Sequence, residues 1–255
     1  MNTAPAPATS DRDQQSFAAL IEQAVRRAPL CEDPFAHVQL DEVFGARAYD
    51  QIQRHLPDSA TYAAGRSEDS VTERNPARSS WRLKEDQLSR PGAPADLLSF
   101  WIAFAQDLKA SGLRRTLLEK FDAWLPASAL RHPERLKFGV RLCRDEGGSV
   151  IGPHTDGPDK LVTCILYLPA DASRTGLGTT LLAPRDPAFR PPEDADYRHD
   201  RFYDRADLFT AVRRMPFAPD SGMAFARSPL SFHALDVPAA ETSRYTLLLA
   251  VRERT

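Results

Sequence analysis

Cysteine is scarce: Cys31, Cys143 and Cys164 are the whole set in 255 residues, odd in number, widely spaced and without a CxxC pair. Neither a disulfide framework nor a cysteine-based zinc site is suggested, and a reducing cytoplasm is the expected compartment. A surplus of basic charge is also missing. The formal net charge is -2 and the sequence pI about 6.3, which gives no long-range attraction for nucleic acid or for anionic membranes. No stretch offers the roughly 18 consecutive apolar residues of a membrane span. The opening residues lack the apolar segment of an export signal. A soluble, unexported chain with neither nucleic acid nor membrane as partner is expected. No internal repeat is visible.

What is present falls into two halves. Residues 1–15 read as a disordered tail of Ala, Pro, Thr, Ser and Asp, and residues 16–255 as one domain. Phe17, Leu20, Ile21 and Val25 recur at helical spacing, with Asp11 or Asp13 available as N-cap. Residues 34–40 alternate as a strand. Residues 46–56 read as a helix closed by Pro57, and 96–110 and 113–124 as two more, parted by Ser111-Gly112. The polar stretch 61–94, broken by Pro76, Pro91, Gly92 and Pro94, reads as a long loop with one strand near 80–83.

From Leu136 the period changes to two. Phe138, Val140 and Leu142 alternate with Gly139, Arg141 and Cys143, and short strands are predicted at 150–151, 161–168, 178–182, 208–212, 222–226 and 244–251. A helical buttress over about 16–130, followed by a β core over about 134–253, predicts an α+β, mainly β fold with helices covering one sheet of a sandwich or barrel. Residues 184–207 are the one long irregular stretch in this half and read as an insertion or lid.

His154-Thr155-Asp156 carries the first chemical signal. On an extended chain residues two apart share a face, so imidazole and carboxylate can hold one ion while Thr155 points away. Alone the pair says little, since a His-x-Asp among six histidines is more often a hydrogen-bonded surface pair. His233 supplies a third ligand and completes the two-histidine, one-carboxylate face that leaves positions open on iron(II). Arg244 opens the last predicted strand. Thr246 shares its face, while Tyr245, Leu247 and Leu249 point the other way. An arginine inside a barrel needs an anion, and a carboxylate gripped at both oxygens suits it.

The segment Cys143 to Asp156 (CRDEGGSVIGPHTD), KLVTCILYLP at 160–169, Gly178-Thr179-Thr180-Leu181, Ser231-Phe232-His233 and Arg244-Tyr245-Thr246 together resemble the iron(II)/2-oxoglutarate-dependent oxygenases, nearest the prolyl 4-hydroxylase-like branch. The resemblance covers about the C-terminal half. It implies a double-stranded β-helix (jelly-roll, cupin-like) core buttressed by N-terminal helices. Fe(II) would be held by His154, Asp156 and His233, with 2-oxoglutarate and O2 as cosubstrates. The distal carboxylate of 2-oxoglutarate would be held by Arg244 with help from Tyr167, and Thr246 alongside. The implied reaction is hydroxylation of an unactivated C–H bond, coupled to decarboxylation of 2-oxoglutarate to succinate.

Two departures matter. Where oxygen-sensing prolyl hydroxylases have a tyrosine ten residues before the first histidine, this chain has Arg144, which makes Arg144 a candidate contact to cosubstrate or substrate. The 184–207 insertion has no counterpart in a minimal barrel. The family's halogenases carry Gly or Ala at the metal aspartate, so Asp156 speaks against halogenation.

The substrate expected is a small molecule, an amino acid or biosynthetic intermediate carrying an anionic group. Arg66, Arg74, Arg78 and Arg82 could read a carboxylate or phosphate, although a solvated loop is the plainer description. A peptide or protein hydroxylase, which needs an open groove, is the alternative. A barrel binding a metal or ligand without oxidative chemistry is a second. His199 is assigned to the lid, and His37, His55 and His132 receive no role.

Overall fold

Helix formation at the N-terminal end follows from capping and from one apolar stripe. In the computed structural model, which describes residues 16–63, 75–83, 93–190, 201–238 and 243–253, α1 (Phe17–Arg27) starts at Ser16, whose hydroxyl accepts the Ala19 N–H. The expected caps Asp11 and Asp13 lie outside the described residues, and Ser16 does their work. Ala18, Leu20, Ile21, Ala24 and Val25 form the buried stripe. Next come β1 (Leu30–Cys31), β2 (His37–Leu40), α2 (Ala46–Arg54) and α3 (Ser59–Ala63). The predicted 61–94 loop therefore opens inside a helix. Its strand is β3 (Arg78–Arg82), and residues 64–74 and 84–92 lie outside the described residues. Helices α4 (Ala95–Ala110), α5 (Leu113–Lys120) and α6 (Ser128–Arg131) complete the helical part.

Strands β4 (Leu136–Asp145), β5 (Val150–His154), β6 (Lys160–Tyr167), β7 (Thr180–Pro184), β8 (Phe209–Arg214), β9 (Ser221–Ala226), β10 (His233–Asp236) and β11 (Arg244–Glu253) follow. They form two antiparallel sheets. The larger runs β1-β2-β9-β6-β11-β4-β3 and the smaller β5-β10-β7-β8. The architecture is thus mainly β, with the helices at the N-terminal end, as expected. Among the described residues no helix is long and apolar enough to cross a membrane.

Strand parity divides the larger sheet into a dry face and a charged one. Val140 and Leu142 on β4, with Leu247, Leu249 and Val251 on β11, join Ile21, Trp101, Leu108 and Leu117 in one buried cluster. This cluster is the seam between helices and sheet. The opposite face of β11 carries Arg244, Thr246, Leu248 and Arg252, which line a cavity of about 320 Å³ between the sheets. Burial on the dry side stabilises the sheet strongly enough for the other side to be polar.

The smaller sheet sits over that cavity. Its strand β10 lies in SFHALD, too short and too interrupted to announce itself by alternation, and it pairs with β5 so that His233 faces His154. Gly152 on β5 is required by a close approach: a Cβ there would lie 1.9 Å from the Tyr203 carbonyl oxygen. Tyr203 donates its hydroxyl to the Val150 carbonyl at 3.0 Å and packs on Ile151, Leu235 and Val237. The C-terminal end of the 184–207 insertion therefore lies along the strand that carries His154. Residues 191–200, His199 included, are outside the described residues.

Leu249 is fully buried at the centre of the helix–sheet seam. Leu249→Ala is expected to lower stability by about 2–5 kcal/mol in denaturant unfolding. A loss below about 1 kcal/mol would mean that the helices do not pack tightly on this sheet.

Candidate metal centre and its pocket

The pairing of β5 with β10 sets two imidazoles side by side, their ring centroids 4.2 Å apart. His154 Nδ1 lies 2.9 Å from the Gly152 carbonyl, and His233 Nδ1 lies 3.0 Å from the Ser231 carbonyl. A carbonyl only accepts, so each Nδ1 carries the proton and donates it. Each Nε2 is left with its lone pair, the tautomer a metal needs. Burial, the largest effect on both rings, holds their pKa values below the ordinary histidine value; for His154 the neighbouring His233 adds to the depression.

Asp156 follows β5 and completes the group. Ligand atoms of His154, Asp156 and His233 all lie within 4.8 Å of one another, and all three residues are buried. This is the one such group among the described residues. Burial would push the Asp156 carboxyl up, but the Lys160 ammonium, with hydrogen bonds from Lys160 and Thr163, reverses this and holds it well below the usual carboxylate range. Lys160 Nζ sits on Oδ1 and Thr163 Oγ1 donates to Oδ2. Each oxygen keeps a further lone pair, so the carboxylate can still bind an ion. The donor set, two neutral imidazoles and one ionised carboxylate with open space beside them, fits iron(II) or a similar divalent ion.

Lys160 was not anticipated. The signal available was its place four residues after Asp156, at the start of a strand otherwise buried along its length.

Arg244 lies where expected, at the start of β11, 2% exposed and lining the cavity. Its counter-charge was missed. Asp145, at the end of β4, faces Arg244 on one side and Arg78 on the other in the strand register. Its Oδ1 accepts from Arg78 Nη1 at 2.7 Å and its Oδ2 from Arg244 Nη1 at 2.9 Å. The Arg244 Nε donates to the Leu177 carbonyl at 2.7 Å. Asp145 itself is 0% exposed. Two inward-facing arginines on strands without an apparent anion were the clue that a carboxylate had to stand between them.

Tyr167 lies behind Arg244, its ring centroid 5.5 Å from the guanidinium carbon, and its hydroxyl accepts the Thr179 N–H at 3.2 Å. It keeps its own proton to donate. Burial pushes that hydroxyl's pKa up, against the pull of Arg244. Thr246 is 1% exposed and lines the cavity beside Arg244.

Arg144 is a correction. It stands opposite Tyr245 on the helix-side face of β4 and β11, donates to the Tyr245 hydroxyl at 3.2 Å and pairs with Glu146. Strand parity turns it away from the cavity, so it is not placed to touch cosubstrate or substrate there. The arginine patch is corrected too. Arg78 and Arg82 are on β3 rather than in a solvated loop, and both line the cavity. Arg66 and Arg74 lie outside the described residues. His37, His55 and His132 take no part in the site. His37 and His55 each bond a nearby backbone carbonyl, and His132 pairs with Glu134.

No protein-family model matches the sequence, and no curated protein matches it either. Solved structures do. The dioxygenase for auxin oxidation 1 from Arabidopsis thaliana, in its binary complex with 2-oxoglutarate, is similar with a TM-score of 0.52 at 11% identity, over 95% of this chain and 91% of that one. A prolyl hydroxylase from Trichoplax adhaerens, in complex with a hypoxia inducible factor oxygen degradation domain peptide fragment, is similar with a TM-score of 0.51 at 10% identity, over 97% of this chain and 94% of that one. At these identities the likeness is one of fold.

Replacing Asp145 by Asn removes the counter-charge of two inward-facing arginines at nearly constant volume. Asp145→Asn is expected to cost about 3–5 kcal/mol in urea unfolding. An unchanged unfolding midpoint would show that Asp145 does not neutralise this pair.

Proposed function

We propose that the protein is an iron(II)/2-oxoglutarate-dependent dioxygenase that hydroxylates an unactivated C–H bond of a small anionic molecule, with O2 as second cosubstrate and succinate as coproduct. The observation that carries this reading is the convergence of His154, Asp156 and His233 beside a cavity whose other wall presents Arg244. The shared fold supports it, and the two-sheet architecture is read as a double-stranded β-helix in one domain spanning 16–255, with 184–207 as its insertion.

His154, Asp156 and His233 would hold the iron, which when bound with 2-oxoglutarate supplies the oxidising chemistry. The remaining roles belong to the chain. The Gly152 and Ser231 carbonyls hold both imidazoles in the neutral form that presents Nε2. Thr163 and Lys160 orient Asp156 and keep it ionised. Arg244 grips the distal carboxylate of 2-oxoglutarate with the Nη2 edge that Asp145 and Leu177 leave unused, and Tyr167 and Thr246 fix its height. Tyr203 packs near His154, ring centroids 6.2 Å apart, and shields that ligand from water.

A small substrate is favoured because the cavity, about 320 Å³, matches the lower range of small-molecule sites. Its wall bears Arg78, Arg82, Arg141, Lys160, Arg244 and Arg252. Asp156 and Asp159 stand among them, and the cationic surplus that remains favours an anionic guest. A peptide hydroxylase is the second reading, to which the peptide-bound Trichoplax structure lends its fold.

Anaerobic titration of the metal-free protein with iron(II) and then 2-oxoglutarate tests the proposal. A visible charge-transfer band is expected on addition of 2-oxoglutarate, with no iron bound by His154→Ala or His233→Ala. Arg244→Ala should keep its iron and need about tenfold or more 2-oxoglutarate for the same band, as the loss of a charge-assisted hydrogen bond implies. Iron binding without the band in the wild type would contradict the cosubstrate assignment. Succinate release stimulated by intact protein and not by small anions would favour the peptide reading.

A further inference from the structure

Lys160 owes its place on Asp156 to two local devices. Gly157-Pro158-Asp159-Lys160 is a tight turn: the Gly157 carbonyl accepts the Lys160 N–H at 3.0 Å, and proline stands second, where its fixed φ suits such a turn. The turn brings the chain back beside Asp156. The second device is a bulge. Val251 on β11 stands opposite Val162 on β6, but Arg252 stands opposite Lys160, so one residue of β6 is passed over. Residues three apart on a regular strand face opposite ways. The bulge sets Lys160 and Thr163 on the same side, and both line the cavity. Lys160 Nζ there meets Oδ1 of Asp156, and Thr163 Oγ1 donates to Oδ2.

The two contacts act differently. A hydroxyl is enough to orient a carboxylate, and Thr163 supplies one. Lys160 adds a full positive charge where solvent screens it little: its side chain is 13% exposed and that of Asp156 7%. Arg252, directly opposite Lys160, is held by Asp159 at 2.9 Å, and repulsion between the two cations favours an ammonium turned toward Asp156. With both imidazoles neutral, His154, Asp156 and His233 carry one negative charge between them. Lys160 cancels it. A divalent ion ligated by Asp156 would share its anionic ligand with a fixed cation, and the two would repel across the carboxylate.

We propose that Lys160 is a positioning residue that attenuates the metal centre. By sharing the Asp156 carboxylate it makes the three ligands hold a divalent ion more weakly than they would alone, so that a bound ion exchanges with free iron(II). The inference rests on the metal-centre reading of the triad. The same pairing stabilises the fold, because a buried carboxylate without a counter-charge is costly. The charge of Lys160 therefore moves stability and metal affinity in opposite directions, which a purely structural side chain would not do.

Equilibrium titration of the full chain with Mn(II), without 2-oxoglutarate and read from the electron paramagnetic resonance signal of the free ion, tests this. The wild type is expected to bind Mn(II), and His154→Ala to lose that binding. Lys160→Gln keeps a neutral donor for Asp156 and should bind Mn(II) about tenfold more tightly than the wild type. Lys160→Met, neutral and of similar length, should gain likewise. Lys160→Arg keeps the charge and should gain nothing, and Thr163→Val, which loses a hydrogen bond and no charge, should bind about tenfold more weakly. Melting gives a second measurement: with metal removed, Lys160→Gln should melt below the wild type, and saturating Mn(II) should raise its melting temperature by more than it raises that of the wild type. Equal or weaker Mn(II) affinity in Lys160→Gln, or an equal gain in Lys160→Arg or Thr163→Val, would overturn the inference and leave the metal centre standing. No Mn(II) binding by the wild type, or binding undiminished in His154→Ala, would overturn the metal-centre reading and this inference with it.

Discussion

Asp145 has two guanidiniums on it and no water around it. That carboxylate ties β3, β4 and β11 together at the end of the sheet where the cavity lies, and the larger sheet depends on it to be charged on one face. Without it Arg244 would keep only the Leu177 carbonyl, in a layer that also carries Arg78, Arg82 and Arg141. The helices make the arrangement affordable: the dry seam of Trp101, Leu142, Leu247 and Leu249 stabilises the sheet through burial, so its other face is free to serve ligands.

The metal corner follows the same logic on the smaller sheet. Its two histidines are brought together by strand pairing, and their protons are directed by carbonyls two residues back along the chain. Asp156 comes from the turn that leads into β6, where Lys160 and Thr163 wait for it. Backbone geometry sets the imidazoles, and a neighbouring cation sets the carboxylate. The hydrogen bonds described for the ligand set come from outside the insertion, whose described end packs near His154 through Tyr203.

Much of this was legible in the sequence because it follows from parity. The alternation of β4 and β11 separated Arg244 and Thr246 from Tyr245, Leu247 and Leu249, and the structure keeps that division. Applied to Arg144, the same parity puts it with Val140 and Leu142 on the helix side, and motif position alone misled there. Strand β10 was illegible because four residues of mixed character carry no period. Asp145 and Lys160 were missed for another reason. Each matters through a partner distant in sequence or hidden by a turn, and only strand register shows which charges meet. Ser16 took the place of the predicted aspartate caps because a hydroxyl next to the first helical residue reaches the Ala19 N–H directly.

The most direct test of the account is an anaerobic crystal structure of the full chain with manganese(II), as a redox-stable stand-in for iron(II), and 2-oxoglutarate. The account predicts one ion bound by Nε2 of His154, Nε2 of His233 and a carboxylate oxygen of Asp156, with 2-oxoglutarate on the ion and its far carboxylate at Arg244. An ion bound elsewhere, or 2-oxoglutarate lying away from both the triad and Arg244, would contradict it.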